Sequence, residues 1–167
     1  RFAAAANAGF RGCEYLFPYE YEPEEIAGFV RNAGLTQVLF NVSPGDWAAG
    51  ERGLAALPGR EGDFAASVET ALQYAEVTGC RQLHVMAGCA DVDDPAHWET
   101  YLRNLEIAAS RFLDAGIVAL IEPINPIDMP GYFLTELEQA LSVIESVGAP
   151  NLKLQFDCYH RAMVKKD

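Results

Sequence analysis

The chain has 167 residues, half of them hydrophobic, with nine phenylalanines and seven tyrosines, which is enough apolar material for one packed domain and too much for a disordered segment. Twelve basic residues against 24 acidic ones leave a formal net charge of −12, a balance that repels phosphate backbones and argues against nucleic acid as a partner. No apolar stretch approaches the roughly 18 residues of a membrane-spanning helix, so no membrane association is expected.

In chain order, residues 2–8 read as the tail of a helix stopped by Gly9, and 12–17 (GCEYLF) as a first strand. Pro23 suits a first helical turn, Ile26, Phe29 and Val30 make one face, and Gly34 follows as a stop. A second strand at 37–42 (QVLFNV) leads into a long Gly-rich loop, 43–60, that carries Trp47, Arg52 and Arg60. Phe64, Val68, Ala71, Leu72 and Ala75 then form the stripe of a helix ending at Gly79, before a third strand at 82–87 (QLHVMA). Trp98, Tyr101, Leu105, Ala109 and Phe112 repeat the helical pattern up to Gly116, ahead of a fourth strand at 117–121 (IVALI). Thr135 with Glu138 reads as a capping box for a helix closed by Gly148, and 152–156 (LKLQF) is the fifth strand.

Strand–helix alternation implies a parallel sheet with right-handed crossovers, an α/β class fold. No GxGxxG or GxxxxGK[ST] loop follows any strand, and polar residues recur at strand C-terminal ends, where barrel enzymes build their sites. Both observations favour a (β/α)8 barrel over an open doubly wound sheet. A complete barrel needs eight strands and about 250 residues, so residues 1–167 are expected to be one barrel domain, incomplete at both ends and represented by five βα units.

Cysteines 13, 80, 89 and 158 form no CxxC pair, and Cys13, Cys80 and Cys158 lie in or beside apolar runs. They are expected to be reduced and in or near the core, as in a cytoplasmic protein. Glu122 follows five apolar residues, a costly place for a carboxylate without a cation or hydrogen bonds. Asp157 and His160 hold the same place after the next strand. Adjacent strands lie only ~4.8 Å apart, so Glu122 and Asp157 can share one divalent cation, with His160 as a ligand or a hydrogen-bonding partner of substrate. The competing reading has Glu122 capping the next segment while Asp157 and His160 pair locally. Glu14 and His84, inside strands, are candidate site residues or satisfied core groups. Asn41 and Asn125 are candidates or plain turn residues.

GFRGCEYLFPYEY, GDWAAGERG with the following PGR, LIEPIN with PGYFLT, and NLKLQFDCYH together resemble the successive signatures of the hydroxypyruvate isomerase family, over essentially all of the chain. LIEPIN and DxYH are shared with other sugar isomerases and epimerases of the xylose-isomerase-like barrel group, whereas GDWAAGERG is the more family-specific signal. The resemblance implies a TIM barrel that interconverts hydroxypyruvate and tartronate semialdehyde through an enediolate. It implies a divalent metal, Mg or Mn, and no organic cofactor. By this resemblance Glu122 is a metal ligand and a catalytic acid/base, Asp157 a second ligand, and His160 close to substrate. Glu14, Asn41, His84, Arg60 and Asn125 fall near the expected pocket. Apart from the resemblance, the chemistry of a guanidinium makes Arg60 or Arg52 a candidate to hold the substrate carboxylate in a bidentate contact.

The family pattern also has a strand before the region matching Arg1 and two after the region matching Asp167, which bring two further ligands including a second catalytic glutamate. The 167 residues alone are therefore expected to be inactive, and assembly into a homo-oligomer is left open. The alternatives are another sugar or inositol isomerase, epimerase or dehydratase of the barrel group, or a catalytically dead binding or scaffolding module. An open doubly wound domain that binds an acidic metabolite is the least favoured.

Overall fold

The computed structural model of the protein describes residues 1–164. The element order is α1 (Phe2–Asn7), β1 (Gly12–Glu14), α2 (Pro23–Asn32), β2 (Thr36–Asn41), α3 (Glu61–Thr78), β3 (Gln82–His84), α4 (Pro95–Asp114), β4 (Val118–Ile121), α5 (Leu137–Val147), β5 (Leu152–Leu154) and α6 (Cys158–Val164). The strands form one parallel sheet in sequence order, β1-β2-β3-β4-β5. That is the arc of consecutive βα units expected of a partial barrel. Its long helices pack on one side, where Phe40, Leu83, Ala119, Ile121 and Leu152 meet Phe64, Val68, Tyr101, Leu105 and Phe112, all of them fully or almost fully buried.

Local chemistry explains most boundaries. Pro23 and Pro95 occupy first turns, where a missing N–H costs nothing, and the Asp94 carboxylate accepts a hydrogen bond from the Ala96 backbone N–H at 2.9 Å. Three expectations need correction. The ladders of β1, β3 and β5 are shorter than the apolar runs that announced them. Past their ends single hydrogen bonds continue, Val85 N–H to the Leu120 carbonyl and Gln155 N–H to that of Ile121, while the chain turns outward into loops. The capping box lies one residue later than Thr135 and Glu138, because the Gln139 amide oxygen reaches back to the Glu136 N–H and the Glu136 side chain caps the helix. Cys158 is exposed rather than near the core, since α6 begins there. Cys80 is buried and Cys13 half-buried, and all four thiols are free.

The register places the site. Asn41 pairs with His84, His84 with Leu120, and Leu120 with Lys153, so these side chains share the face turned away from the helices, and Glu122 and Gln155 follow two residues further along it. Between β1 and β2 the register slips after Cys13, which sets Glu14 opposite Leu39. Glu14, Leu39, Gln82, Leu120 and Gln155 line one open cleft on this concave side.

Candidate active site at the strand C-terminal ends

Glu122 is 7% exposed immediately beyond β4. Asp157 and His160 stand at the entry to α6, just beyond β5. Ligand atoms of the three side chains lie within 4.8 Å of one another, so the cluster read from spacing exists in space. One Asp157 oxygen is already committed: Oδ1 accepts the Tyr159 N–H at 2.6 Å, with the His160 N–H at 3.4 Å. Asp157 is thus the local cap of α6 as well as a member of the cluster.

The protonation of His160 follows from its neighbour. Asn125, fully buried, accepts the backbone N–H of Ile127 and of Asp128 on its Oδ1 at 3.1 and 2.9 Å. Its Nδ2 must therefore face His160 Nδ1, at 2.8 Å, and the Asp128 carboxylate, at 3.0 Å. An amide N–H can only donate, so Nδ1 is the acceptor and the neutral ring carries its proton on Nε2. His160 is then set to donate a hydrogen bond rather than to coordinate a cation.

His84 is 1% exposed on β3, with Nδ1 at 3.2 Å from Asn41 Oδ1 and 3.8 Å from Glu122 Oε2. Asn41 turns its Nδ2 to the Met86 sulfur at 3.7 Å, which leaves its oxygen to accept from His84 Nδ1–H. His84 Nε2 is buried with no partner, so protonating it would create an unpaired buried charge. Burial accordingly pushes His84 down to about 4, with the charge of His160 adding to the effect. At neutral pH the His84–Glu122 contact is a neutral imidazole beside a carboxyl group, not an ion pair.

Burial is also the first cause that raises Glu122, to about 7, with the charges of Asp157 and, less strongly, Glu14 adding to it. The Gln155 side chain favours the charged form and pulls partly the other way. Two carboxyl groups held together against their own repulsion, with no cationic side chain paired to either among the described residues, make an oxygen-donor set suited to a hard divalent cation.

The remaining sequence candidates divide. Glu14 is exposed at the end of β1 on the same concave side, where its charge reaches Glu122. Arg60 precedes α3 and engages Glu51 through Nη1 and Asp63 through Nε, so the fold does not bring it into the acidic cluster. Gln155 and Tyr132 escaped the sequence reading. Tyr132 is buried, accepts the Ala87 N–H at 2.9 Å, and lies within the field of Glu122. Gln155 was detectable, because Lys153 and Gln155 alternate with apolar neighbours and so share one strand face with Glu122.

A family model described as xylose isomerase-like TIM barrel matches residues 2–166. The chain belongs to that family. Within this barrel family it is 54% identical over 169 residues to the 2-oxo-tetronate isomerase of Cupriavidus necator, covering 100% of this chain and 65% of that protein. It is 43% identical over 162 residues to the hydroxypyruvate isomerase of Escherichia coli, covering 96% of this chain and 63% of that protein. The chain thus spans just under two thirds of the length of the curated relatives it matches. A crystal structure from Brucella melitensis named AP endonuclease, family 2, superposes with a TM-score of 0.97 at 45% identity, covering 100% of this chain and 65% of that one. The barrel fold itself extends further, to a D-psicose 3-epimerase from Clostridium cellulolyticum at a TM-score of 0.74 and 16% identity, covering 99% of this chain and 60% of that one.

Proposed function

We propose that the protein is a metal-dependent isomerase of small hydroxy-keto acids that interconverts hydroxypyruvate and tartronate semialdehyde, with Glu122 as a catalytic acid/base. The observation that carries this reading is the convergence of Glu122, Asp157 and His160 at the C-terminal ends of β4 and β5, in a chain of this family. Relatives named for hydroxypyruvate and for 2-oxo-tetronate support it. Both compounds are 2-oxo acids with a hydroxyl on the carbon next to the ketone, so one proton-transfer reaction serves both. The greater identity to the 2-oxo-tetronate isomerase makes that four-carbon acid the second substrate to assay.

Glu122 and Asp157 would hold the cation, Mg or Mn by the chemistry of their oxygens. Bound there, it would supply positive charge to the substrate oxygens as the enediolate forms. Glu122, at the end of β4 within the cluster, is suited to take the C3 proton in one direction and return it in the other. His160 donates its Nε2–H to a substrate oxygen, an orientation enforced by the Asn125 turn. Neutral His84 and Asn41 fix the far side of Glu122 without neutralising it. The net charge of −12 argues against a nucleic-acid substrate, whatever the name of the Brucella relative, and leaves a small carboxylate to be held by a local cation.

In the complete protein, Glu122→Gln is expected to lower kcat for hydroxypyruvate by at least about 10³-fold, within the range of losing an acid/base together with a charge-stabilising group. Circular dichroism should stay unchanged. A variant that isomerises hydroxypyruvate at the wild-type rate would refute the role given to Glu122.

A further inference from the structure

A 2-oxo acid presents a carboxylate, and neither Glu122 nor Asp157 can hold it, so a cation on the same mouth is required. The loop 43–60 contains two arginines, and the structure separates them. Arg60 is spent on two carboxylates, Glu51 and Asp63, which occupy Nη1 and Nε, the latter on the fork that a bidentate contact needs. Arg52 makes no ion pair among the described residues, in a chain with 24 acidic side chains to 12 basic ones. Its guanidinium stacks 3.8 Å over the Trp47 ring. Both Nη1 hydrogens are taken by backbone carbonyls, of Trp47 at 3.1 Å and Glu51 at 2.8 Å. What remains is the Nε/Nη2 edge, with two parallel N–H groups whose spacing matches the two oxygens of a carboxylate.

The loop also sits over the mouth. Gly53 bridges antiparallel to Ala87, and Ala56 N–H donates to the Ala87 carbonyl at 2.8 Å, so residues 53–56 are bonded to the segment that follows β3. Only glycine fits at 53, where φ is +127° and a Cβ would collide with the Met86 carbonyl. On the other side Trp47 packs on Phe17, three residues past β1, with ring centroids 5.3 Å apart. The stacked pair is therefore suspended between the loops after β1 and β3. The charge of Arg52 is felt at the Cys89 thiol, whose residue bridges to Tyr132.

We infer that Arg52, stacked on Trp47 with its Nε/Nη2 edge open, is the residue that selects substrates bearing a carboxylate next to the ketone. This rests on the isomerase reading for its substrate and on the loop geometry for its residue. Arg60 then serves as the strut that holds Glu51, whose Oε2 in turn accepts the Asp46 N–H at 2.6 Å and closes the loop tip.

The test uses the complete protein, wild type and Arg52→Gln, with two measurements. In the first, kcat and KM are compared for hydroxypyruvate and for dihydroxyacetone, which replaces the carboxylate by CH2OH. The expected result is a rise of about 10- to 100-fold in KM for hydroxypyruvate, with kcat changed by less than about threefold and dihydroxyacetone kinetics unmoved. An equal loss on both compounds would mean that Arg52 only supports the loop and would overturn the inference, as would finding the selective loss in Arg60→Gln instead. In the second, calorimetric binding of tartronate, a hydroxydicarboxylate, is compared in the two proteins whether or not hydroxypyruvate is turned over. A tenfold or greater weakening supports Arg52 even if the isomerase assay fails. Unchanged tartronate affinity rejects Arg52 even if that assay succeeds.

Discussion

Burial and the neighbouring Asp157 hold the Glu122 carboxyl at about 7 against an ordinary 4.5, so between those values the folded chain keeps a proton that the unfolded chain has released. Stability from this group is present below 4.5 and is lost as pH rises through 7. Without a cation its charged form then costs the fold about 3 kcal/mol. His84 runs oppositely, since its folded value of about 4 lies below the ordinary 6.5. Its contribution is present above 6.5 and is lost as pH falls to 4. Chelator-stripped Glu122→Gln is therefore expected to be more stable than stripped wild type at pH 8, by up to about 3 kcal/mol, with the gap closing towards pH 4.5. The same variant should show stability rising with pH between 4 and 6.5, the His84 slope no longer offset. Denaturant titrations across pH 4–8 read both effects, and a Glu122→Gln variant no more stable at pH 8 would contradict the assigned burial cost.

At the scale of elements, the β5–α6 junction ties structure to chemistry, because Asp157 both caps α6 through Oδ1 and belongs to the carboxylate cluster. Asp157→Asn keeps a good cap and is expected to change thermal stability little, whereas Asp157→Ala should cost about 1 kcal/mol. Both should lose isomerase activity, so thermal melts beside activity assays separate the two duties. If Asn at 157 kept activity, the carboxylate would be a cap alone. Helix and strand order was legible in the sequence because apolar spacing and glycine or proline punctuation reflect burial directly. Strand ends were not, since the apolar run 82–87 continues past its strand into a buried segment, where Met86 and Ala87 are as apolar as any strand residue, and the run 12–17 continues into partly exposed Tyr15, Leu16 and Phe17. Helix α6 was missed for a related reason. Seven residues give too few turns for a periodic stripe, and its start is signalled only by the Asp157 cap.

For the molecule as a whole, the parallel sheet in sequence order brings Asn41, His84, Glu122 and Asp157, from four successive strands or their ends, to one mouth. Their grouping could be expected from the rule that such folds build sites at strand C-terminal ends. Which arginine is left without a carboxylate partner among the described residues could not, because Arg52 and Arg60 differ only in contacts made through side-chain geometry: a ring face and two carbonyls for one, two carboxylates for the other. The orientation of His160 likewise depends on Asn125, 35 residues away in the chain. The central claim, that Glu122 and Asp157 jointly hold the cation the isomerisation requires, is tested most directly by calorimetric titration of Mn²⁺ into the chelator-stripped complete protein. One site per chain is predicted for the wild type, weakened at least about tenfold in both Glu122→Gln and Asp157→Asn, with activity restored in proportion to Mn²⁺ bound. Mn²⁺ affinity unchanged in either variant, or full activity in the stripped wild type, would contradict it.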